Sequence, residues 1–436
     1  MTAIPKGFEK RVHQLRPMAI QGCFEDEAKS LFEEICCGSR SLWPLEPDSL
    51  KAQDDLRTKF YLLAHEGMWA AQERFLRRIE SSSPLLVSEE ALYRTAMDTI
   101  AWQMLGRQLC YARRLYREKR QPSLTDSNLQ SVIGAARYFR EQKPNSMPLI
   151  SDLTTFVQIG DILAFDPEVG MSIMEVKEGE KNHEICGLAT FYRQSGCEHF
   201  KQIVSETETA HTVKQFERVL RQMDRMDFAT TVISKGKGID PDSNQEIRIP
   251  EPYIPMEDWD TELNKTFDDA LDRGWALTVI DDCLFVGVYA SEQMRAASPF
   301  VFLAWLDQFG GGESSPVARL IDCVNMPLAL PVFAIPTSPE RMIDVLFGRI
   351  HVCMGISIPC FVKACEKHGI TVRGPKNKSE RKTIQSLRGE AIKYKGQSIV
   401  LERNGKMMIP ASGIFVRSLF HFQRPISVIS AMLDNS

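Results

Sequence analysis

Three side chains have the types and spacing for metal-assisted chemistry. Asp161 opens the run Gly160–Asp161–Ile162–Leu163–Ala164–Phe165, and Glu175 and Lys177 close the run Ile173–Met174–Glu175–Val176–Lys177. Between them, Asp166–Pro167–Glu168–Val169–Gly170 has the proline and glycine of a tight turn. Side chains alternate across a strand, so Glu175 and Lys177 are expected on one side of the second run. A tight turn lays the runs side by side and brings Asp161 toward Glu175. Two carboxylates held close repel, and a divalent cation relieves the repulsion. Hard oxygen ligands of this kind suit Mg²⁺ or Mn²⁺. A lysine beside such an ion supplies positive charge near an attacking water. The same residues also allow a plainer reading, a surface hairpin edge with a solvated ion pair.

These residues need elements to position them. Residues 1–145 read as helical. Asp54 to Ile79 has apolar residues at helical spacing, including Phe60, Met68, Ala71 and Phe75. Ser88 can cap a second helix to about Lys119, and Thr125 or Asp126 a third through Gln142, with Leu129, Val132, Ile133 and Ala136 inward. The texture then changes. Leu153–Phe165 and Met171–Lys177 are rich in strand-forming residues, Ser205–Met226 ends as a helix, and Phe228–Ser234 reads as a strand. Pro250–Pro255 reads as an extended linker. Trp275–Ala290 is an expected hairpin turning at Asp281–Asp282.

This order of elements, with the acid on one strand and E-x-K on the next, resembles the PD-(D/E)XK nuclease superfamily, the restriction-endonuclease-like fold. The resemblance spans roughly residues 90–235. It departs from the family pattern at Gly160, where the family's name has proline. E-x-K also occurs at Glu27–Lys29, Glu141–Lys143 and Glu380–Lys382, in polar or helical surroundings. Only Glu175–Lys177 ends an apolar strand that follows a glycine turn and an acid-bearing strand. The resemblance implies Asp161, Glu175 and the Val176 backbone carbonyl as metal ligands and Lys177 as the catalytic cation. It also implies helpers: an upstream acid, Asp98 or Glu141, and a polar residue on the following helix, where Lys214, Gln215 and Arg218 stand. Each helper also reads as a capped or solvated surface residue.

The chain has 436 residues, 43% hydrophobic and 25% charged, which suits a folded α+β protein and excludes disorder as the main state. No apolar run is long enough for a transmembrane helix, so no membrane is expected. The net charge of −4 is unevenly spread. Residues 346–436 hold fifteen Lys and Arg against five Asp and Glu. Within them Arg373, Lys376, Lys378, Arg381, Lys382, Arg388, Lys393 and Lys395 form a stretch suited to phosphates. Eleven cysteines without a secretory signal predict reduced thiols and a cytoplasmic setting. His183, Cys186, Cys197 and His199 have zinc-type ligands but not the paired spacing of a zinc site, so zinc is not expected.

Four regions are expected: a helical one at 1–145, a nuclease-like core with a mixed sheet at 146–248, an acidic α+β extension at 249–345 and a basic region at 346–436. Together they predict a Mg²⁺- or Mn²⁺-dependent nuclease acting on nucleic acid, with DNA favoured over RNA and the choice between them left open. Lacking a nucleotide-binding loop, it would serve as an effector or subunit, in defence against foreign DNA or in DNA processing, with a partner protein or as a homodimer. The alternative is a non-catalytic subunit of nuclease-like fold that binds nucleic acid or protein.

Overall fold

The computed structural model describes residues 7–45, 53–81, 83–118, 121, 123–124, 129–249, 254–312, 315–387 and 389–435. The chain is α+β, as expected, and gathers into two compact units: Ser30–Pro252, and Met1–Lys29 with Tyr253–Ser436. Among the described residues every strand pairing is antiparallel, where a mixed sheet was expected. Helix α1 (Phe8–Gln14) belongs to the second unit, and α2 (Glu25–Cys37) spans the boundary.

In the unit Ser30–Pro252, α3 (Asp54–Glu80) forms where apolar spacing predicts it, burying Met68, Ala71, Phe75 and Leu76 along one stripe. The Phe75 ring stacks on Tyr93 at 4.6 Å. The next helix, α4 (Val87–Met104), starts at Leu86 rather than Ser88. It does not run to Lys119. Gly106 and Arg107 turn left-handed, with φ of 60° and 58°, and the chain restarts as α5 (Leu109–Leu115). Lys119, Thr125 and Asp126 lie outside the described residues. The third expected helix is α6 (Leu129–Gln142), with Leu129, Val132, Ile133 and Ala136 buried.

Of the strand expected over Leu153–Phe165 only the end from Ile162 forms, and a strand that was not expected precedes it. Strand β1 (Met147–Ile150) comes first, then a short 3-10 turn, then β2 (Ile162–Asp166) and β3 (Gly170–Met174), in the order β1-β2-β3. The intervening backbone cannot join a ladder because side chains hold it. Arg94 donates to the carbonyls of Asp152 and Thr154, and Gln121 to those of Ser151, Thr154 and Val157. Buried Gln72 caps β1, accepting from the Ile150 N–H at 2.9 Å and donating to the Pro148 carbonyl at 3.1 Å. Pro148 has no N–H to offer a neighbour and suits that edge.

Helices α7 (Glu180–Ser195), α8 (Glu198–Thr207) and α9 (Ala210–Lys235) follow. Phe228–Ser234, expected as a strand, forms the last turns of α9. Phe228 and Val232 lie one helical turn apart and pack with Cys110, Tyr111, Ile247 and Ile249. Burial of that stripe overrides the β-propensity of Thr230, Thr231, Val232 and Ile233. In place of a closing strand, β4 (Lys237–Ile239) and β5 (Glu246–Arg248) form a separate hairpin. Most of the expected linker 250–255 lies outside the described residues.

The other unit begins again at α10 (Asp260–Arg273). The predicted hairpin forms as β6 (Trp275–Ile280) and β7 (Leu284–Tyr289), with Asp281 and Asp282 both left-handed at its turn. After α11 (Glu292–Gln308) come β8 (Val317–Arg319), α12 (Pro339–Leu346) and β9 (His351–Ile356), giving the sheet order β6-β7-β9-β8. Phe285, Tyr289, Phe302, Leu306 and Cys353 bury against Val12 and Leu15. Helix α13 (Ile358–Lys367), β10 (Thr371–Arg373), α14 (Lys378–Ser386), short strands between Lys393 and Met408, and two last helices complete the unit. All eleven cysteines are free thiols. Among the described residues no helix is long and apolar enough to cross a membrane.

Candidate metal centre

Asp161 directly precedes β2 and Glu175 directly follows β3. The ladder ends at the pair Ile162–Met174, with Asp161 and Glu175 the next residue on each strand. The Asp161 N–H donates to the Met174 carbonyl at 2.8 Å, which ties Asp161 to the end of β3. Gly160 makes this approach. It has φ of +73°, and a Cβ there would lie 2.4 Å from Ile173 Cγ2 and 2.9 Å from the Met174 carbonyl oxygen. Proline, fixed near φ −65°, cannot take that backbone. Glycine at 160 is therefore a backbone requirement of this chain.

Asp161 Oδ2 accepts the Val176 N–H at 2.6 Å, and Oδ1 makes no hydrogen bond among the described residues. Burial, and then the Glu175 charge, push Asp161 up to about 6, against the pull of the Val176 N–H and Lys177; Asp152 adds a further upward push. Glu175 Oε1 accepts from Lys177 Nζ at 2.5 Å and from Gln222 Nε2 at 2.9 Å. Gln222 stands on α9, and its Oε1 is buried with no hydrogen-bond partner among the described residues. His183 Nε2, on α7, lies 2.9 Å from the Lys177 carbonyl and ties down the backbone after the strand. Two carboxylates, the Val176 backbone and an orphaned amide oxygen make a hard, electron-rich donor set. That set fits Mg²⁺ or Mn²⁺.

None of the suggested helpers hydrogen-bonds Asp161, Glu175 or Lys177 among the described residues. Asp98 is buried and spends both oxygens on Thr155, accepting its N–H and its hydroxyl at 2.7 Å each. Burial pushes it up to about 7. Asp98 thus anchors the loop that leads to Asp161. Glu141 is exposed near the end of α6, and Gln215 is half-buried on α9; neither makes a hydrogen bond among the described residues. Lys214 and Arg218 are exposed. Gln222, which the sequence reading did not select, lies seven residues after Gln215. That is two helical turns along the same face, the signal that could have found it. Asp152, one residue before the expected strand, was not selected either. Among the described residues no three His, Cys, Asp or Glu side chains gather into a metal cage, those of His183, Cys186, Cys197 and His199 included.

The basic segment is in the other unit and divides in two. Arg373 is engaged internally: it donates to Glu380 at 3.0 Å through both terminal nitrogens and to Glu402 at 2.8 Å. Glu380 also accepts the Lys376 N–H, and Arg373 holds its carboxyl down at about 2. By contrast, Lys376, Lys378, Arg381, Lys382, Lys393 and Lys395 are exposed. Among the described residues none of these six forms a salt bridge. Arg388 lies outside the described residues. Comparison of the chain with family models, with curated proteins and with solved structures finds no match.

Proposed function

We propose that this chain is a metal-dependent nuclease that hydrolyses nucleic-acid phosphodiester bonds, related to the PD-(D/E)XK group, with DNA its expected substrate. The observation that carries this reading is that Asp161 and Glu175 stand at the adjoining ends of β2 and β3, near enough for the Glu175 charge to act on Asp161, with Lys177 on the Glu175 carboxylate. Asp161, Glu175 and the Val176 carbonyl would hold the cation, and Gln222 Oε1 lies close to that set. When bound, a divalent ion polarises a phosphate and lowers the pKa of a bound water. Lys177 places an ammonium beside Glu175, where it offsets negative charge developing on a phosphate. Gln222 and His183 hold Glu175 and the Lys177 backbone in place. The exposed lysines and arginine of 376–395 neutralise backbone phosphates without reading sequence. Such a unit suits an effector or subunit in defence against foreign DNA or in DNA processing.

The second reading is a non-catalytic binding subunit. The observation in its favour is that the expected closing strand is a helix, leaving a three-stranded antiparallel sheet. The experiment is cleavage of labelled single- and double-stranded DNA and RNA with Mg²⁺, Mn²⁺ or EDTA, wild type beside Glu175→Gln. Cutting that needs metal and is lost in the variant is the expected result. Binding without cutting of any substrate, under either metal, establishes the second reading instead.

A further inference from the structure

A cavity of about 610 Å³ opens beside α2, α3 and the end of α4. That volume is within the range of small-molecule sites, about 300–1,000 Å³. Its walls are set by a close helix crossing: a Cβ on Gly67 would meet the Glu34 carbonyl oxygen at 2.0 Å. Aromatic rings dominate the lining. Phe60 and Tyr61 come from α3, Phe165 from β2, and Trp43 stands on the rim, 52% exposed. The Tyr61 and Phe165 centroids are 5.6 Å apart, and those of Phe60 and Tyr61 6.0 Å. Single exposed aromatics are ordinary, but four lining one concave surface, with Tyr61 tilted 43° to Phe165 and edge-on to Phe60, offer both ring faces and ring edges to a planar ligand.

The polar groups are few and point to one chemistry. His65 Nδ1 lies 2.6 Å from the Asn145 carbonyl, so it carries the proton and leaves Nε2 as an acceptor. Burial lowers its pKa and keeps the ring neutral. Among the described residues no carboxylate lines the cavity, and the one full charge there is Arg107. Arg107 is exposed and makes no salt bridge or side-chain hydrogen bond among the described residues. It also holds φ of +58°, a left-handed conformation that glycine adopts without strain. An arginine kept where glycine would be easier points to use of its side chain.

We propose that this cavity binds a nucleotide, with the base against Tyr61 and Phe165 and a phosphate on Arg107. This inference does not rest on the nuclease reading. The ligand is a free mononucleotide or the end of a nucleic-acid chain, since both offer a base and a phosphate.

Calorimetry on the full chain in EDTA, with AMP, adenosine and a 5′-phosphorylated trinucleotide as probes, tests it. AMP or the trinucleotide should bind about 10-fold or more tighter than adenosine, as a hydrogen bond to a charged group implies. Tight AMP binding assigns the site to free nucleotide; trinucleotide binding without AMP binding assigns it to a chain end. Arg107→Gly should reduce the tighter probe to the adenosine level while leaving the melting temperature unchanged or higher, because glycine relieves the left-handed strain. Tyr61→Leu should weaken every probe by about 5- to 100-fold, the span of base stacking on a ring. The proposal is overturned if neither AMP nor the trinucleotide binds at millimolar concentration. It is equally overturned if folded Arg107→Gly and Tyr61→Leu variants bind like wild type.

Discussion

Removing the Asp161 carboxylate beside Glu175 should stabilise the metal-free protein, an unusual outcome for a change at a half-buried site. Burial and Glu175 raise Asp161 from its ordinary 3.8 to about 6. At about 1.4 kcal/mol per tenfold change in proton affinity, ionising a fully shielded carboxylate would cost about 3 kcal/mol. Solvent still reaches this half-buried group, so the working figure is about 1–2 kcal/mol. The sign follows from linkage. The folded protein holds the Asp161 proton more tightly than the unfolded chain, so wild-type stability falls as pH rises from about 4 to 6 and stays reduced above. In Asp161→Asn the side-chain oxygen still accepts the Val176 N–H, but nothing ionises. At about 2–4 °C per kcal/mol, the variant should melt about 2–8 °C higher than wild type near neutral pH in EDTA. Near about pH 4 the two should coincide, because wild type is then protonated as well. Magnesium should raise the wild type and leave the variant unmoved. Scanning calorimetry at both pH values, with and without Mg²⁺, is the assay. A variant less stable than wild type at neutral pH, or a gain equal at both pH values, would refute electrostatic strain between Asp161 and Glu175.

Lys177→Ala should keep metal and nucleic-acid binding but lose turnover, by about 10²–10³-fold for one preorganised charge. Lys177→Arg should rescue it poorly, since a planar fork does not replace a compact ammonium; single-turnover cleavage at wild-type rate in both variants ends that role. Asp98→Ala strands the Thr155 N–H and hydroxyl and should cost about 1–3 kcal/mol in urea unfolding, with Asp98→Asn restoring most of it. Because burial raises Asp98 to about 7, wild type should lose stability as pH rises from about 4 to 7, and Asp98→Asn should flatten that trend. Asp98→Ala with wild-type stability but no metal binding would make it a ligand rather than an anchor. Replacing Lys376, Lys378, Arg381 and Lys382 together by Ala should weaken binding alike for unrelated sequences and reduce the salt slope by roughly 1 per lost phosphate contact, read by anisotropy. Arg373→Ala should instead lower the melting temperature, because Glu380 and Glu402 lose their cation. An unchanged melting temperature with weakened binding would place Arg373 on the phosphates.

What the sequence determined by itself is local. The turn at 166–170 was legible because Asp166 folds onto its own neighbours, its Oδ1 accepting the N–H groups of Glu168 and Val169. Glu175 and Lys177 share a hydrogen bond, but β3 ends at Met174, so both stand past the strand on which alternation was expected to align them. The α3 stripe and the Asp281–Asp282 hairpin were legible for the same reason: each depends on residues a few positions apart. Tertiary structure decided whatever depends on distant partners. The 228–234 segment carries strand-forming residues, and only packing with Cys110 and Ile249 keeps it helical. The 151–157 backbone avoids a ladder because Arg94 and Gln121, far along the chain, take its carbonyls. Gln222 reaches Glu175 across 47 residues of chain, and Arg373 is drawn from the basic stretch by Glu402. Local pattern encodes which face a side chain takes, but which distant group meets it is set only when the helices close over the sheet, because burial and charge pairing depend on distance in space and not along the chain.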